Sequence, residues 1–138
     1  MNKIKKLGLL LMAVMLCLSL AACGPFEGFD DDAAIIKASG ASTVGSFTLN
    51  SLTVYTLNAK KFNGVIKVKN ITVTENPTFN ITLSITEGRF KVVLVKDNTV
   101  YFITDKNADG TVETELAAGT YSFRIVGEDA KINFTVTW

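Results

Sequence analysis

The sequence predicts an all-β fold: an antiparallel β-sandwich of about seven or eight strands, preceded by a signal peptide and a flexible tether. Two observations predict it. After residue 45, apolar and polar residues alternate in short runs, and turn-forming residues separate these runs roughly every ten residues. Each such strand has one apolar face to bury, so two sheets packed face to face are expected.

The alternation is clearest in three runs. Residues 79–86, 121–125 and 132–138 place aromatic or branched apolar side chains on one face and polar side chains on the other. The run FKVVLV, residues 90–95, is apolar on both faces and therefore predicts a central strand.

Turn-forming residues separate the runs: ENP at 75–77, EGR at 87–89, DN at 97–98, NADG at 107–110, AAG at 117–119 and GED at 127–129. Near residues 50 and 69 the alternation changes phase, which predicts a bulge or a change of strand.

The final stretch, LAAGTYSFRIVGEDAKINFTVTW, resembles the last hairpin of many secreted β-sandwich modules. In these modules a G-x-Y-x-F-x-I-x-G strand turns back into the terminal strand, and immunoglobulin-like and carbohydrate-binding modules share the pattern. The resemblance implies a fold class but not a function. The paired cysteines of antibody-type domains are missing, so the core is expected to be stable without a disulfide.

The N-terminus has the organisation of a secretory signal. The basic head MNKIKK precedes an apolar run of 16 residues that ends in small residues before Cys23. A membrane-spanning helix is the alternative, but the run is shorter than the ~20 residues that usually span a bilayer.

The segment Leu20-Ala21-Ala22-Cys23 resembles the lipobox of bacterial lipoproteins. The resemblance implies that the Cys23 thiol receives a diacylglyceryl group and that cleavage follows Ala22. An ordinary secretory signal with a chance cysteine is the alternative. The only other cysteine, Cys17, would leave with the signal, so Cys23 would have no disulfide partner. We expect a domain outside the cytoplasm, lipid-anchored to the cell membrane or the outer membrane.

Three regions follow from this pattern: a signal peptide at 1–22, an acylated N-terminus with a flexible tether at 23–44, and a β-sandwich domain at 45–138. The acidic residues 30–32 would be repelled by an anionic membrane, which favours a tether held away from the lipid. The stretch AAIIKA, at 33–38, is compatible with a short edge strand or half a helical turn.

Composition excludes several functions. Without a histidine, the chain cannot form a Ser-His or Cys-His nucleophile system or a His/Cys zinc site. The glycines of GASTVGS, at 40–46, lack the lysine of a phosphate-binding loop. From residue 23 onward, 11 basic side chains oppose 13 acidic ones, and no basic stripe suggests a nucleic-acid partner.

A calcium site is one hypothesis for the stretch DKNADGTVETEL. Asp105, Asn107 and Asp109 occupy the spacing of calcium-loop ligands, and Gly110 takes the turn position. Leu116 stands where a bidentate Glu is expected, however. A simple hairpin turn is the alternative reading.

Two further groups of residues suggest sites. Glu113 and Glu115 point the same way along a strand, about 7 Å apart, which a carboxylate-only hydrolase could use. A solvated strand face is the alternative. Tyr101 is expected to face outward, and Tyr55 and Trp138 could join it as a platform that stacks against sugars.

The sequence therefore predicts a membrane-anchored surface lipoprotein that is not an enzyme, with a small β-sandwich as a binding or structural module. A carbohydrate-binding module is the alternative, and a carboxylate-only hydrolase is a further one. The expected partners are the membrane, through Cys23, and an envelope protein or a glycan. No cofactor is expected unless calcium binds the acidic loop.

Overall fold

The computed structural model describes residues 26–38 and 40–138. The predicted signal peptide and Cys23 lie outside these residues. The elements are α1 (Asp32–Lys37), β1 (Ala41–Val44), β2 (Phe47–Asn50), β3 (Val54–Val73), β4 (Thr78–Lys96), β5 (Thr99–Thr104), β6 (Ala108–Glu113) and β7 (Gly119–Thr137). In this part of the chain no helix is long and apolar enough to cross a membrane.

Three long strands form the centre of one antiparallel sheet. β7 lies between β3 and β4 and pairs with both along its length. The outer edge of β3 carries β2 and β1 in succession, and the outer edge of β4 carries β6 and β5. The seven strands confirm the predicted all-β antiparallel fold.

The long strands bend at about their midpoints, where their registers shift. The shifts fall between Ala59 and Gly64 in β3 and between Ile85 and Arg89 in β4, and β7 bends opposite them near Gly127. The predicted turns EGR and GED are therefore bends within continuous strands. The predicted final hairpin is likewise one bent strand, β7.

The bend folds the sheet onto itself and creates two layers. The front layer contains β2, β6 and the segments 54–59, 78–85 and 132–137. The back layer contains β5 and the segments 64–73, 89–96 and 119–127. Ring pairs join the layers across the core: Phe79 of the front packs on Phe123 of the back at 5.9 Å, and Phe134 packs on Phe90 at 5.3 Å.

Local predictions of strand geometry hold at three places. The turn at 97–98 joins β4 to β5, and both Asp97 and Asn98 have positive φ, as a two-residue hairpin turn requires. The phase change near residue 69 is a register shift between Lys67 and Lys69. FKVVLV lies in β4 between β5 and β7, which confirms a central strand.

The N-terminal segment covers the outer face of the back layer. Phe29 and Ile35 pack there against valines of the sheet and form a second apolar cluster. Asp31 caps α1, because its Oδ1 accepts a hydrogen bond from the Ala33 N–H at 3.0 Å. Residues 26–38, which the sequence assigns to a flexible tether, are thus folded against the sheet.

Two hydrogen-bonded contacts hold this segment at its ends. The Phe26 N–H donates to Asn63 Oδ1 at 3.2 Å. The buried Arg124 donates to the carbonyls of Ile35 and Ile36, both at 2.9 Å, which satisfies the C-terminal end of α1. Burial lowers the pKa of the Arg124 guanidinium.

We expect Ile35→Ala to lower the free energy of unfolding by about 2–4 kcal/mol, because Ile35 is fully buried against the sheet. Lys37→Ala, at an exposed position of the same helix, is the matched control and should change it by less than about 0.5 kcal/mol. Urea unfolding of the chain from Cys23 onward measures both. Equal, small effects would show that the segment is not packed in solution.

Candidate functional site

The predicted calcium ligands do not converge. Asn107 Oδ1 accepts a hydrogen bond from the Ile85 N–H at 2.7 Å, and Asp109 Oδ1 accepts one from the Thr82 hydroxyl at 3.5 Å. Both oxygens are thus turned toward the neighbouring strand β4, while Asp105 is exposed before β6 begins. Across residues 26–38 and 40–138, no group of three or more His, Cys, Asp or Glu is placed to hold a metal ion.

Strand pairing explains this arrangement. The loop residues from 108 onward form β6, whose Asp109 pairs with Thr82 of β4. Residues two apart along an extended chain lie about 7 Å from each other, so the spacing that gathers ligands in a coiled calcium loop keeps them apart here. The sequence motif therefore occurs without the loop conformation that calcium binding needs.

The acidic pair is open to solvent. Glu113 ends β6 and Glu115 follows it, and both side chains are exposed. A glycosidase pair needs a cleft that fixes a substrate between the two carboxyl groups. Neither glutamate lines the larger grooves described below.

The three predicted aromatic residues do not form a shared exposed platform. Tyr55 is buried in the core, its ring packs on Phe134 at 6.3 Å, and burial raises the pKa of Tyr55 to about 12. Tyr101 is half-buried and meets Tyr121 edge to face at 5.4 Å. Trp138 is half-buried as well, so each of the three rings contributes to the core.

The expected orientation of Tyr101 is reversed. In β5, Tyr101 pairs with Leu94, which faces the core, and Phe102 pairs with Val93, which faces outward. Phe102 is consequently the exposed aromatic residue of this strand. The sequence of β5 alone is compatible with either Tyr101 or Phe102 facing the core. The pairing of β5 with β4 determines which ring does so.

Trp138 lines a groove that has a volume of about 750 Å³ and opens at the end of the sandwich where the two layers separate. The ring packs edge to face on Phe123 at 4.7 Å, and Lys69 Nζ lies 4.1 Å from the ring centroid. The rest of the lining is rich in amides and hydroxyls, including Asn70, Thr72, Asn80 and Thr137. Trp138 Nε1 is buried and has no acceptor among the described residues.

A second groove, of about 710 Å³, lies beside Arg89 and Phe102. The Arg89 guanidinium donates to both oxygens of Asp30, at 2.8 and 3.1 Å, and to Glu128 at 2.7 Å. Hydrogen bonding to Arg89 lowers the pKa of Asp30. Two carboxylates already pair with this guanidinium, which links Asp30 of the N-terminal segment to Glu128 of β7.

The sequence reasoning singled out Trp138 but missed the polar lining around it. Asn70 and Thr72 lie in the back layer and Asn80 and Thr137 in the front layer, and all four line the groove between the layers. Their exposed position in alternating strands was a visible signal. Nothing in a single strand indicates which exposed amides share a groove.

A scan of the sequence against protein-family models finds no match, and a search of curated proteins likewise finds none.

We expect the melting temperature of the protein to be indifferent to millimolar calcium, because the candidate ligands bond to β4 instead of to a common point. Differential scanning calorimetry with and without calcium measures it, and Asp109→Ala serves as the control variant. A wild-type melting temperature that rises with the logarithm of free calcium, and does not rise in Asp109→Ala, would contradict this expectation.

Proposed function

We propose that the protein is a lipoprotein of a bacterial cell envelope, anchored by acyl chains at Cys23, whose folded domain is a non-catalytic binding or structural module. The observation that carries the proposal is the sequence Leu20-Ala21-Ala22-Cys23, directly after a basic head and an apolar run. A cysteine at this place has a chemical role as an acylation site. It has no partner for a disulfide once Cys17 is removed.

Acylation would supply the membrane affinity. Each methylene buried in lipid contributes about 0.8 kcal/mol, so one chain gives marginal binding and two or more give stable anchoring. A diacylglyceryl group alone brings two chains. The anchor therefore needs no apolar helix in the folded domain.

The position of the folded unit supports a short connection to the anchor. Gly24 and Pro25 separate Cys23 from Phe26, whose N–H bonds to Asn63. Three residue steps of about 3.5 Å each limit the separation of Cys23 and Phe26 to about 11 Å. In this proposal the domain sits close to the bilayer and not at the end of a long tether.

We expect Cys23→Ser to abolish labelling by radioactive palmitate and to release the cleaved chain from the membrane, or to leave it uncleaved and unacylated. Cys17→Ser is the matched control and should keep both the label and the membrane association, because Cys17 belongs to the signal. Labelling and membrane fractionation in the expressing cell measure the two properties. A cleaved Cys23→Ser chain that carries no lipid but still fractionates with membranes would contradict the proposal.

A second candidate function is the binding of a neutral glycan in the groove at Trp138. A volume of about 750 Å³ lies within the usual range for small-molecule sites. The half-buried indole offers part of an apolar ring, and the surrounding amides and hydroxyls match the donors and acceptors of a sugar. This groove replaces the predicted platform, because Tyr55 is buried.

Trp138 is the only tryptophan, so its fluorescence reports on the groove directly. We expect neutral hexasaccharides of glucose or N-acetylglucosamine to change its emission. Asn80→Ala should weaken this binding several-fold, because Asn80 lines the groove. Asn133→Ala, exposed outside the groove, is the control and should bind as the wild type does. Emission that neither sugar changes would argue against glycan binding.

A further inference from the structure

The edge formed by β1 and β2 is unusually apolar for an exposed surface. Of the five large apolar side chains that are strongly exposed in the described residues, four lie on this edge or directly after it: Val44, Phe47, Leu49 and Leu52. Leu52 is 92% exposed and Phe47 is 60% exposed. Grouped exposed apolar side chains mark a contact surface more often than scattered ones do.

Strand register places the side chains of this edge on one face. Val44 pairs with Lys61, Phe47 with Asn58 and Leu49 with Thr56. These partners alternate with core residues of β3, so they face outward, and directly paired residues share a face. The apolar side chains of the two strands therefore project from the same outer side of the sheet.

The chain segment that contains this edge is basic. Residues 33–74 contain five lysines and no acidic residue, a net charge of +5. The rest of the chain after residue 22 has six basic and 13 acidic side chains, a net charge of −7. The segment that forms the apolar edge is thus the one basic segment of an otherwise acidic domain.

Three of these lysines lie at the edge itself. Lys60 lies beside Gly45: a Cβ added to Gly45 would be 2.9 Å from the Cδ of Lys60. Lys69 Nζ donates to the Leu52 carbonyl at 3.1 Å. Lys61 is 3.3 Å from Asp129 and keeps about half of its side chain exposed. Long lysine side chains can cover apolar surface and still reach charged groups at its border.

The chain enters the folded domain next to this edge. Phe26 bonds to Asn63, and Asn63 pairs with Ser42 of β1. Asp30, four residues later, lies away from the edge, because it pairs with Arg89 on β4, two strands beyond β3. A membrane anchor three residues before Phe26 would therefore bring lipid to the apolar, basic edge and not to the acidic side.

We propose that the β1–β2 edge is a membrane-contact surface. This proposal rests on the proposed acylation of Cys23, which would hold the edge against the bilayer that carries the acyl chains. Phe47, Leu49 and Leu52 dip into the interfacial region, and Lys60, Lys61 and Lys69 lie against anionic headgroups. The contact would fix the orientation of the domain on the membrane, with the acidic side turned to solvent.

A second copy of the chain is the competing occupant of this edge. Edge strands can pair with one another, but β1 and β2 have four residues each and offer few backbone hydrogen bonds. A copy would also bring a second set of lysines against the first, whereas anionic lipid complements them. The charge of the edge therefore favours the bilayer.

The test uses the acylated protein in vesicles of phosphatidylethanolamine and phosphatidylglycerol, with an environment-sensitive fluorophore on one introduced cysteine. We expect a label at Leu49→Cys to brighten several-fold over its value in detergent-free buffer and to be quenched by nitroxide-labelled lipid. A label at Phe102→Cys is the matched control, since Phe102 is the exposed apolar residue of the opposite edge. It should change by less than twofold. Lys60→Glu should reduce the Leu49 response.

Either of two results would overturn the proposal. In the first, the fluorescence of both labels in vesicles stays at its value in water. In the second, the fluorescence of the Leu49 label rises with protein concentration in the absence of lipid, which would indicate that a second copy covers the edge. A failure of the proposed acylation can be distinguished from a failure of the membrane contact, because mass spectrometry of the Cys23 peptide detects whether the lipid is present. In that event the Cys23→Ser chain, added to vesicles rich in phosphatidylglycerol, still tests the surface. A lipid-dependent, salt-sensitive response at Leu49 supports it, and its absence rejects it.

Discussion

The layered structure depends on the close approach of backbone and ring at the bend of the three long strands. A Cβ at Gly127 would overlap the Phe62 ring, and a Cβ at Gly88, whose φ is +67°, would overlap the Asp129 backbone. Phe62 is fully buried there and packs on Phe90 at 6.0 Å. The two glycines let β4 and β7 fold around this ring, and without the bend the apolar faces of the sheet would have no partner.

The bend also explains which parts of the fold the sequence could predict. Alternation identified the inward faces of the strands, since burial of one face imposes a period of two wherever the strand lies. The sequences EGR and GED resemble turns because bulges and turns use the same residues, and Asp129 has the positive φ of a turn residue within β7. The pairing of Arg89 with Glu128 shows that both strands continue through the bend and do not end in turns. That pairing joins residues that are not close in sequence.

For the candidate sites, too, the local sequence indicated single residues and spacings but not the long-range contacts around them. The sequence could identify Trp138 as an aromatic residue at a strand end, but not the groove that the two layers form around it. It could identify the spacing of Asp105, Asn107 and Asp109, but not that pairing of β6 with β4 engages Asn107 and Asp109. For the N-terminal segment, composition suggested disorder, yet the contacts of Arg124 with Ile35 and Ile36 span almost 90 residues. Long-range contacts of this kind leave no periodic pattern.

The two outer faces of the folded sheet differ, and that difference determines where the N-terminal segment goes. The outward residues of the back layer include four buried valines (Val65, Val93, Val95 and Val126), which must be covered to be stable. In the front layer, the outward residues of the three long strands are mainly Thr, Asn and Ser, and the hydroxyls of Thr56 and Thr135 satisfy one another at 3.0 Å, so that part of the face can remain in water. The segment after Phe26 therefore crosses the back layer, and this path places the start of the folded domain beside β1 and its acidic residues beside β4.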